Sequence, residues 1–272
     1  MKYARLCFAA IWAFTFATPT ISCINEYERS GSHQDHPPTN SSVFELDGAQ
    51  ERLKNLVASC NERNRNIALT KDATFAQLSD LAACLIYRGQ YPEAIALLKR
   101  AESLSSDEYI VASNLGTAYE LNGELPQAIE WIGKGIARNP RAHGGTEWLH
   151  LEILKAKLAL ATDPNWLLTH PTLGVRSPRY RALTGMAGQA GADELAHPLQ
   201  DQLRERLMFV RPPDPVVADL FLDYANVMSR FGTLGEAKYL FGLLRAVGEP
   251  AIGLTSFRCT PLSASRAAIT PA

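Results

Sequence analysis

Two consecutive segments of the chain share one pattern of small, apolar and turn-forming residues, offset by 34 positions. They are residues 75–108 and residues 109–142. At the same place in each lies a glycine, Gly89 or Gly123, followed three residues later by a proline. A period of this size is typical of stacked helical units, each of which can bury its apolar face only against a neighbour. This repeat limits the possible folds more than any other feature.

Each of the two segments predicts a pair of amphipathic helices. Gly89 ends the first helix, where a left-handed backbone is needed, and Pro92 begins the second in its first turn. The small residues Ala82 and Gly116 allow the two helices of each unit to approach closely. Apolar residues recur at helical spacing in both halves of the first segment, at Leu78, Leu81, Ala82, Leu85, Ala94, Ile95, Leu98 and Ala101.

This pattern resembles the tetratricopeptide repeat. The resemblance covers residues 75–142 and, near the C-terminus, residues 218–251 well, and residues 143–161 partially. It implies an all-α fold, a tetratricopeptide-like α-solenoid of antiparallel helix pairs over residues 45–251. A helix at residues 45–60 is expected to cover the first repeat, because an array exposes an apolar face wherever a neighbour is missing.

An irregular central segment is predicted to interrupt the array. Residues 162–193 contain several helix breakers and little periodicity. A helix resumes at about 194–209, and Asp214 with Pro215 begins the last pair with a cap and a first-turn proline. Before the insert, residues 146–161 predict a further first helix with one apolar face, formed by Trp148, Leu151, Leu154 and Leu158.

The N-terminus has the pattern of an export signal. Two basic residues precede an apolar run at residues 6–17, which polar residues separate from Cys23. We therefore predict a signal peptide at residues 1–22. The residues TISC at 20–23 resemble a bacterial lipobox, which implies that Cys23 is lipidated and anchors the mature chain to a membrane. The alternative is simple cleavage near residue 22, with Cys23 an ordinary residue.

Composition predicts a flexible tether at residues 23–44 and a loose C-terminal tail at residues 252–272. His33 and His36 lie in the tether without a helix to align them, so we predict no metal site there. Beyond the signal no segment reaches the roughly 18 apolar residues that a membrane-spanning helix requires. The sequence therefore predicts a globular domain that is tethered to the membrane without crossing it.

The charge balance argues against a nucleic-acid partner. The chain has 27 Lys and Arg and 28 Asp and Glu, so losing Lys2 and Arg5 with the signal leaves 25 basic residues. There is no run of like charges. Nucleic-acid binding requires a concentrated basic surface, which this sequence lacks.

The cysteine spacing predicts neither a zinc nor a redox motif. Beyond Cys23 the chain has Cys60, Cys84 and Cys259, with no C-x-x-C pair. Cys60 and Cys84 either bridge two neighbouring helices in an oxidising compartment or are buried thiols. We favour buried thiols, because cysteine is a frequent core residue.

The resemblance implies a binding function. Such arrays hold an extended peptide or a helix on a concave face lined by the first helix of each unit. Asn114 matches one residue of the carboxylate clamp of some chaperone-binding members, but Ser79 and Ala83 replace two others, so we favour a hydrogen bond from Asn114 to a neighbouring helix. Trp166 in the insert is either a core residue or a further anchor. The candidate partner-binding residues are Ser113, Asn114, Thr117, Glu120 and Trp166.

Histidines and carboxylates are gathered around residues 143–171, and such side chains bind metals or transfer protons. They are His143, Glu147, His150, Asp163 and His170. His143 and His150 would share a helix face only if the helix extended back past Gly144 and Gly145. No metalloprotease, nucleophile-elbow or phosphate-binding motif is present. We therefore predict no catalytic residue, no metal ligand and no cofactor.

Together these features predict a non-catalytic protein-interaction module of the bacterial cell envelope, in the periplasm or at the outer membrane. It would bind a peptide, a helix or a partner subunit. Two alternatives remain open: an envelope enzyme or metal-dependent accessory that uses residues 143–171, and a permanent structural subunit of an envelope complex.

Overall fold

The computed structural model describes residues 48–63, 72–173 and 195–248 except residue 212, together with residues 24 and 26. The predicted signal peptide, lipidation at Cys23 and the C-terminal tail lie outside the described residues and remain predictions. Within the described ranges, no helix has the length and apolar character needed to cross a membrane.

Every regular element in the described ranges is helical, and ten α-helices follow one another along the chain. They are α1 (Ala49–Arg63), α2 (Phe75–Tyr87), α3 (Tyr91–Leu104), α4 (Tyr109–Leu121), α5 (Leu125–Arg138), α6 (Glu147–Leu160), α7 (Trp166–Thr169), α8 (Ala196–Phe209), α9 (Pro215–Phe231) and α10 (Leu234–Gly248). A 3-10 turn at Ala142–Gly145 precedes α6.

Consecutive helices pack together in pairs, α2 with α3, α4 with α5 and α9 with α10. Adjacent pairs also contact each other, through α3 with α4 and through α5 with α6. The prediction of an all-helical fold built from packed helix pairs is therefore confirmed.

Local sequence signals set the ends of the paired helices. Gly89 and Gly123 have φ angles of +75° and +83° directly after the first helices, a conformation that costs glycine least. At the start of α9, the Asp214 carboxylate accepts hydrogen bonds from the backbone N–H groups of Val216 and Val217. This confirms the predicted cap.

Two buried apolar clusters form the core. The first joins α1 to α5, and the second joins α6, α8, α9 and α10. Helix α6 contributes to both, because Leu154 lies in the first cluster while Leu149 and Ile153 lie in the second. It therefore has buried residues on more than one side.

This position corrects the predicted apolar face of α6. Leu154 is buried, but Trp148 and Leu151 are only partly buried and Leu158 is 39% exposed. Because α6 lies between two clusters, burial does not follow a single apolar stripe. The residues of α6 that are buried are Glu147, Leu149, His150, Ile153, Leu154 and Ala156.

Some predicted boundaries also shift. Helix α1 begins at Ala49 rather than at residue 45, and α8 begins at Ala196 rather than at residue 194. Pro198 lies in the first turn of α8, where a missing N–H leaves no bond unmade. The predicted irregular insert contains the short helix α7, and residues 174–194 lie outside the described residues.

The structure corrects the preference for two buried thiols. Cys60 in α1 and Cys84 in α2 form a disulfide, with 5.6 Å between their Cα atoms. Both residues are buried, as expected of core cysteines. The disulfide joins the covering helix α1 to the first helix pair.

We expect two glycine-to-alanine substitutions to have opposite effects on stability. A Cβ at Gly116 would lie 2.5 Å from side-chain atoms of Ile132, whereas a Cβ at Gly133 would meet nothing within 4 Å. Gly116→Ala should lower the free energy of unfolding by about 1–3 kcal/mol through overpacking. Gly133→Ala should raise it by about 0.5–1 kcal/mol, because alanine is the better helix former. Urea denaturation of both variants measures the difference, and equal effects would contradict the close approach of α4 and α5.

Candidate functional site

The candidate partner-binding residues of α4 are buried. Ser113, Asn114, Thr117 and Glu120 are each at most 6% exposed. Ser113, Thr117 and Glu120 follow one another at helical spacing and so lie on one side of α4. Trp166 is elsewhere, in α7, where its partly buried ring stacks on His170 with 3.9 Å between the ring centroids.

Asn114 links two first helices. Its Nδ2 donates a hydrogen bond of 3.1 Å to Ser79 Oγ in α2, within a buried environment. The hydrogen bond to a neighbouring helix that the sequence favours for Asn114 is therefore present.

Helix α8 packs mainly on α9 and α1, and individual side chains of α8 also reach the first helices α2, α4 and α6. The Arg206 Nη2 atom is 3.5 Å from Glu120 Oε1 in α4. The ring of Phe209 stacks on Tyr87 of α2, with 6.5 Å between centroids and 9° between planes. Helix α8 also contacts α6. We call the sides of α2, α4 and α6 that face α8 the first-helix surface.

The C-terminal end of α8 is held by the covering helix as well. Gln50 Nε2 in α1 donates hydrogen bonds of 2.8 Å and 3.3 Å to the backbone oxygens of Leu207 and Met208. Met208 is buried in the apolar cluster of α1 to α5. Helix α8 thus extends across the domain from the second cluster to the first.

Glu120 is the centre of a buried charged network on the first-helix surface. Its Oε2 lies 2.6 Å from His150 Nε2, and its Oε1 accepts a hydrogen bond of 2.7 Å from Lys157 Nζ. Arg206 approaches the same Oε1 from α8. Three basic side chains from two helices, α6 and α8, therefore face a single carboxylate, which is 3% exposed.

The network continues from His150 towards the start of α6. His150 Nδ1 is 3.7 Å from Glu147 Oε2, and Glu147 Oε1 is 2.9 Å from His143 Nδ1. Ser113 Oγ donates to the same Oε1 at 3.3 Å. On the far side, His143 Nε2 is 2.9 Å from the Tyr109 hydroxyl. A chain of polar contacts thus joins α4, the 3-10 turn and α6.

The backbone of His143 has a left-handed conformation, which is unusual for a residue other than glycine. Its φ angle is +52°, the only positive φ of a non-glycine residue in the described part of the chain. A non-glycine residue keeps such a conformation when surrounding contacts hold it. As the sequence indicates, the helix does not extend back through Gly144 and Gly145; the 3-10 turn nevertheless lets His143 reach Glu147.

The network shifts the pKa values of its members. Burial by itself lowers the pKa of His150, but the charge and hydrogen bond of Glu120, with a further bond to Glu147, raise it to about 9. Burial also opposes ionisation of Glu120. The basic groups around it, Arg206 first, nevertheless hold its pKa well below the usual range. In the same way His143 holds the pKa of Glu147 low against the effect of burial.

We expect stability to fall between pH 6.5 and 8.5. Because the pKa of His150 is raised to about 9, its contribution is complete below the ordinary value of 6.5 and is lost as pH rises through 9. This single group then removes about 2 kcal/mol over the interval. Glu120 has a lowered pKa, so its contribution is present above pH 4.5 and is lost only in acid.

Urea denaturation at several pH values measures this slope. His170→Gln, an exposed histidine outside the network, is the control and should retain the slope. A wild-type stability that stays constant from pH 6.5 to 8.5 would contradict a charged His150.

The geometry of the network is that of buried ion pairs. His150 is 1% exposed, and each of its nitrogens faces a carboxylate. Asp163 and His170, which the sequence groups with these histidines, take part in other contacts: Asp163 Oδ1 accepts from the Asn165 backbone N–H, and His170 stacks on Trp166. Among the described residues, no group of three or more histidines, cysteines and carboxylates is arranged to hold a metal ion.

Sequence reasoning missed the partners that Glu120 finds in Lys157 and Arg206. These residues are 37 and 86 positions away along the chain, and no motif connects them to Glu120. The sequence assigned Glu120 to the open concave face, where water solvates a carboxylate, so it gave no signal of these partners.

Comparisons with protein-family models, with curated proteins and with solved structures found no match to this chain. The contacts of Glu120 and of α8 are therefore the physical basis from which its function has to be inferred.

Proposed function

We propose that this protein is a non-catalytic protein-interaction module with a tetratricopeptide-like solenoid, exported to the bacterial cell envelope and anchored through Cys23. It binds a helix or peptide of a partner protein on the concave side, which the first helices line. The observation that supports this function is the position of α8, a helix that lies across α2, α4 and α6.

The chemistry of the first-helix surface suits a helical ligand. Glu120 offers a carboxylate to a basic side chain, and Tyr87 offers an aromatic face at the other end. Recognition of a helix in a groove relies on such spaced anchors on one side of the ligand. In this structure α8 contacts both anchors, because Arg206 faces Glu120 and Phe209 stacks on Tyr87.

Export is supported by the disulfide between Cys60 and Cys84, because disulfides persist in oxidising compartments. Labelling with a clickable fatty acid in the host tests the anchor. We expect label on the wild type and none on Cys23→Ala, whereas an unlabelled wild type would exclude the anchor.

The partner is tested by photo-crosslinking in living cells. A photoreactive residue replaces Trp166, the candidate anchor next to α6, and in a matched variant replaces Ala96, which is exposed on the second helix α3. We expect an adduct of defined mass from position 166 and none from position 96. Adducts from neither position, or the same adducts from both, would contradict a binding site beside the first helices. An adduct that includes nearly every copy of the protein would favour a permanent structural subunit.

A further inference from the structure

Helix α8 is unusually polar for a buried helix. Five of its polar residues are at most 7% exposed, three in a row and then two more after a gap of two positions. They are Gln200, Asp201, Gln202, Glu205 and Arg206. Burying ionised groups is costly unless opposite charges face them. The burial of these charged groups therefore depends on the opposite charges beside them, which for Asp201 include His197 of α8 itself at 3.1 Å.

The charges of α8 match those of the first-helix surface. Arg206 approaches Glu120 at 3.5 Å. Burial lowers the pKa of His143, but Glu147 raises it, and the nearby carboxylates of Glu205 and Asp201 add to that rise. Basic and acidic positions of α8 thus face an acidic position on α4 and a basic position in the 3-10 turn before α6. This is the complementarity found between a ligand and its binding site.

Apolar contacts hold the two ends of α8. Phe209 stacks on Tyr87, and Met208 is buried among residues of α1 to α5. Leu199 and Leu203 at the other end are buried in the second cluster, with α9. Helix α8 therefore combines apolar anchors with a central set of matched charges.

We propose that α8 is an intramolecular ligand that occupies the partner site of this protein, and that the partner presents a helix of the same chemistry. The partner helix has a basic residue facing Glu120, carboxylates one and five residues before it, and apolar residues directly after it. This inference rests on the proposed function, because it identifies the ligand class of the same surface. In the structure described here, the site is closed by α8.

Tethering decides how strongly α8 competes with a partner. A segment joined to its site has an effective concentration on the order of millimolar. A free helix at micromolar concentration therefore displaces α8 only when the contacts of α8 are weakened. This gives a direct experiment with the chain itself.

The probe is a fluorescent synthetic peptide of residues 195–210, and the protein is the mature full chain. Its binding is measured by fluorescence anisotropy to the wild type, to Arg206→Glu and to Lys134→Glu. Arg206→Glu places a carboxylate against Glu120 and weakens the tethered helix. Lys134→Glu makes the same charge change at an exposed position of α5, where Lys134 pairs with Glu130.

We expect the peptide to bind Arg206→Glu at least about tenfold more tightly than it binds the wild type, because the tethered competitor is weakened. Lys134→Glu should behave as the wild type does, and a peptide that itself carries Arg206→Glu should not bind any of the three proteins. Equal binding to Arg206→Glu and to the wild type, with the helical circular dichroism signal retained, would overturn the proposal.

Hydrogen exchange of the wild type provides a second measurement that does not depend on a variant folding. An intramolecular ligand opens as a separate unit, so we expect the amides of α8 to exchange at least about tenfold faster than those of α4 and α9. Exchange of α8 only at the rate of α4 would show that it is a fixed part of the core and overturn the proposal. Crosslinking from position 166 distinguishes this proposal from the proposed function. An adduct from position 166 together with slow exchange of α8 would contradict an intramolecular ligand but would still support a partner-binding protein.

Discussion

Glu120→Gln is expected to lower the free energy of unfolding by about 3–5 kcal/mol, the usual cost of leaving buried charges without their partner. The substitution keeps the size of the side chain but removes the negative charge that faces His150, Lys157 and Arg206. His150 is 1% exposed and cannot regain water in place of the carboxylate. Urea denaturation at pH 6.5 measures the loss.

Glu130→Gln is the matched control. Glu130 forms an i,i+4 pair with Lys134, and its side chain is 60% exposed. An exposed pair of this kind contributes at most about 1 kcal/mol. A loss as small for Glu120→Gln as for Glu130→Gln would show that the buried network does not stabilise the fold.

Glu120→Gln should also change how the free energy of unfolding depends on pH. Glu120 is the first favourable cause of the raised pKa of His150, after the opposing effect of burial. Without it, His150 is expected to lose its proton nearer its ordinary pKa, and the decrease in stability between pH 6.5 and 8.5 should shrink. An unchanged slope would assign the pH dependence to another group.

Cys60→Ser is expected to lower the free energy of unfolding by about 3.5 kcal/mol, because the disulfide closes a loop of 24 residues in the unfolded chain. The effect acts on α1, which otherwise contacts α2 and α8. Thermal and urea denaturation measure the loss, with the reduced wild type alongside.

A reducing agent is the control for this prediction. It should lower the stability of the wild type to that of Cys60→Ser and leave the variant unchanged. Wild-type stability that does not respond to full reduction would contradict a disulfide that stabilises the fold. Alkylation without reduction, followed by mass spectrometry, identifies the partner of Cys60. Cys84 should be alkylated in Cys60→Ser and protected in the wild type.

The two variants address different parts of the proposed function. Glu120 belongs to the surface on which α8 lies, so its substitution changes both stability and the binding of the 195–210 peptide. The disulfide holds α1, which contacts the C-terminal end of α8 through Gln50, so Cys60→Ser should change peptide binding less than Glu120→Gln does. A difference in peptide binding between the two variants therefore separates the first-helix surface from the general stability of the domain.

The sequence by itself determined the local structure. Apolar residues at helical spacing predicted the helices, and Gly89, Gly123 and Asp214 predicted where they end or begin. These features were predictable because helix periodicity, the left-handed glycine turn and the N-terminal cap depend on residues within a few positions of one another. The packing of consecutive helices into pairs follows from the short connections between them.

The tertiary structure alone decided which surfaces are covered. The sequence did not predict that α6 lies between two clusters or that Arg206 meets Glu120 from 86 positions away. It left open whether Cys60 bonds to Cys84 and favoured thiols, whereas the structure has the disulfide. The apolar row of Leu199, Leu203 and Leu207 accounts for one side of α8, so periodicity does not predict that its polar residues are buried as well. Its charges are stable there because opposite charges lie beside them on α4, in the 3-10 turn and on α8 itself. Only long-range packing brings α4 and the turn to α8.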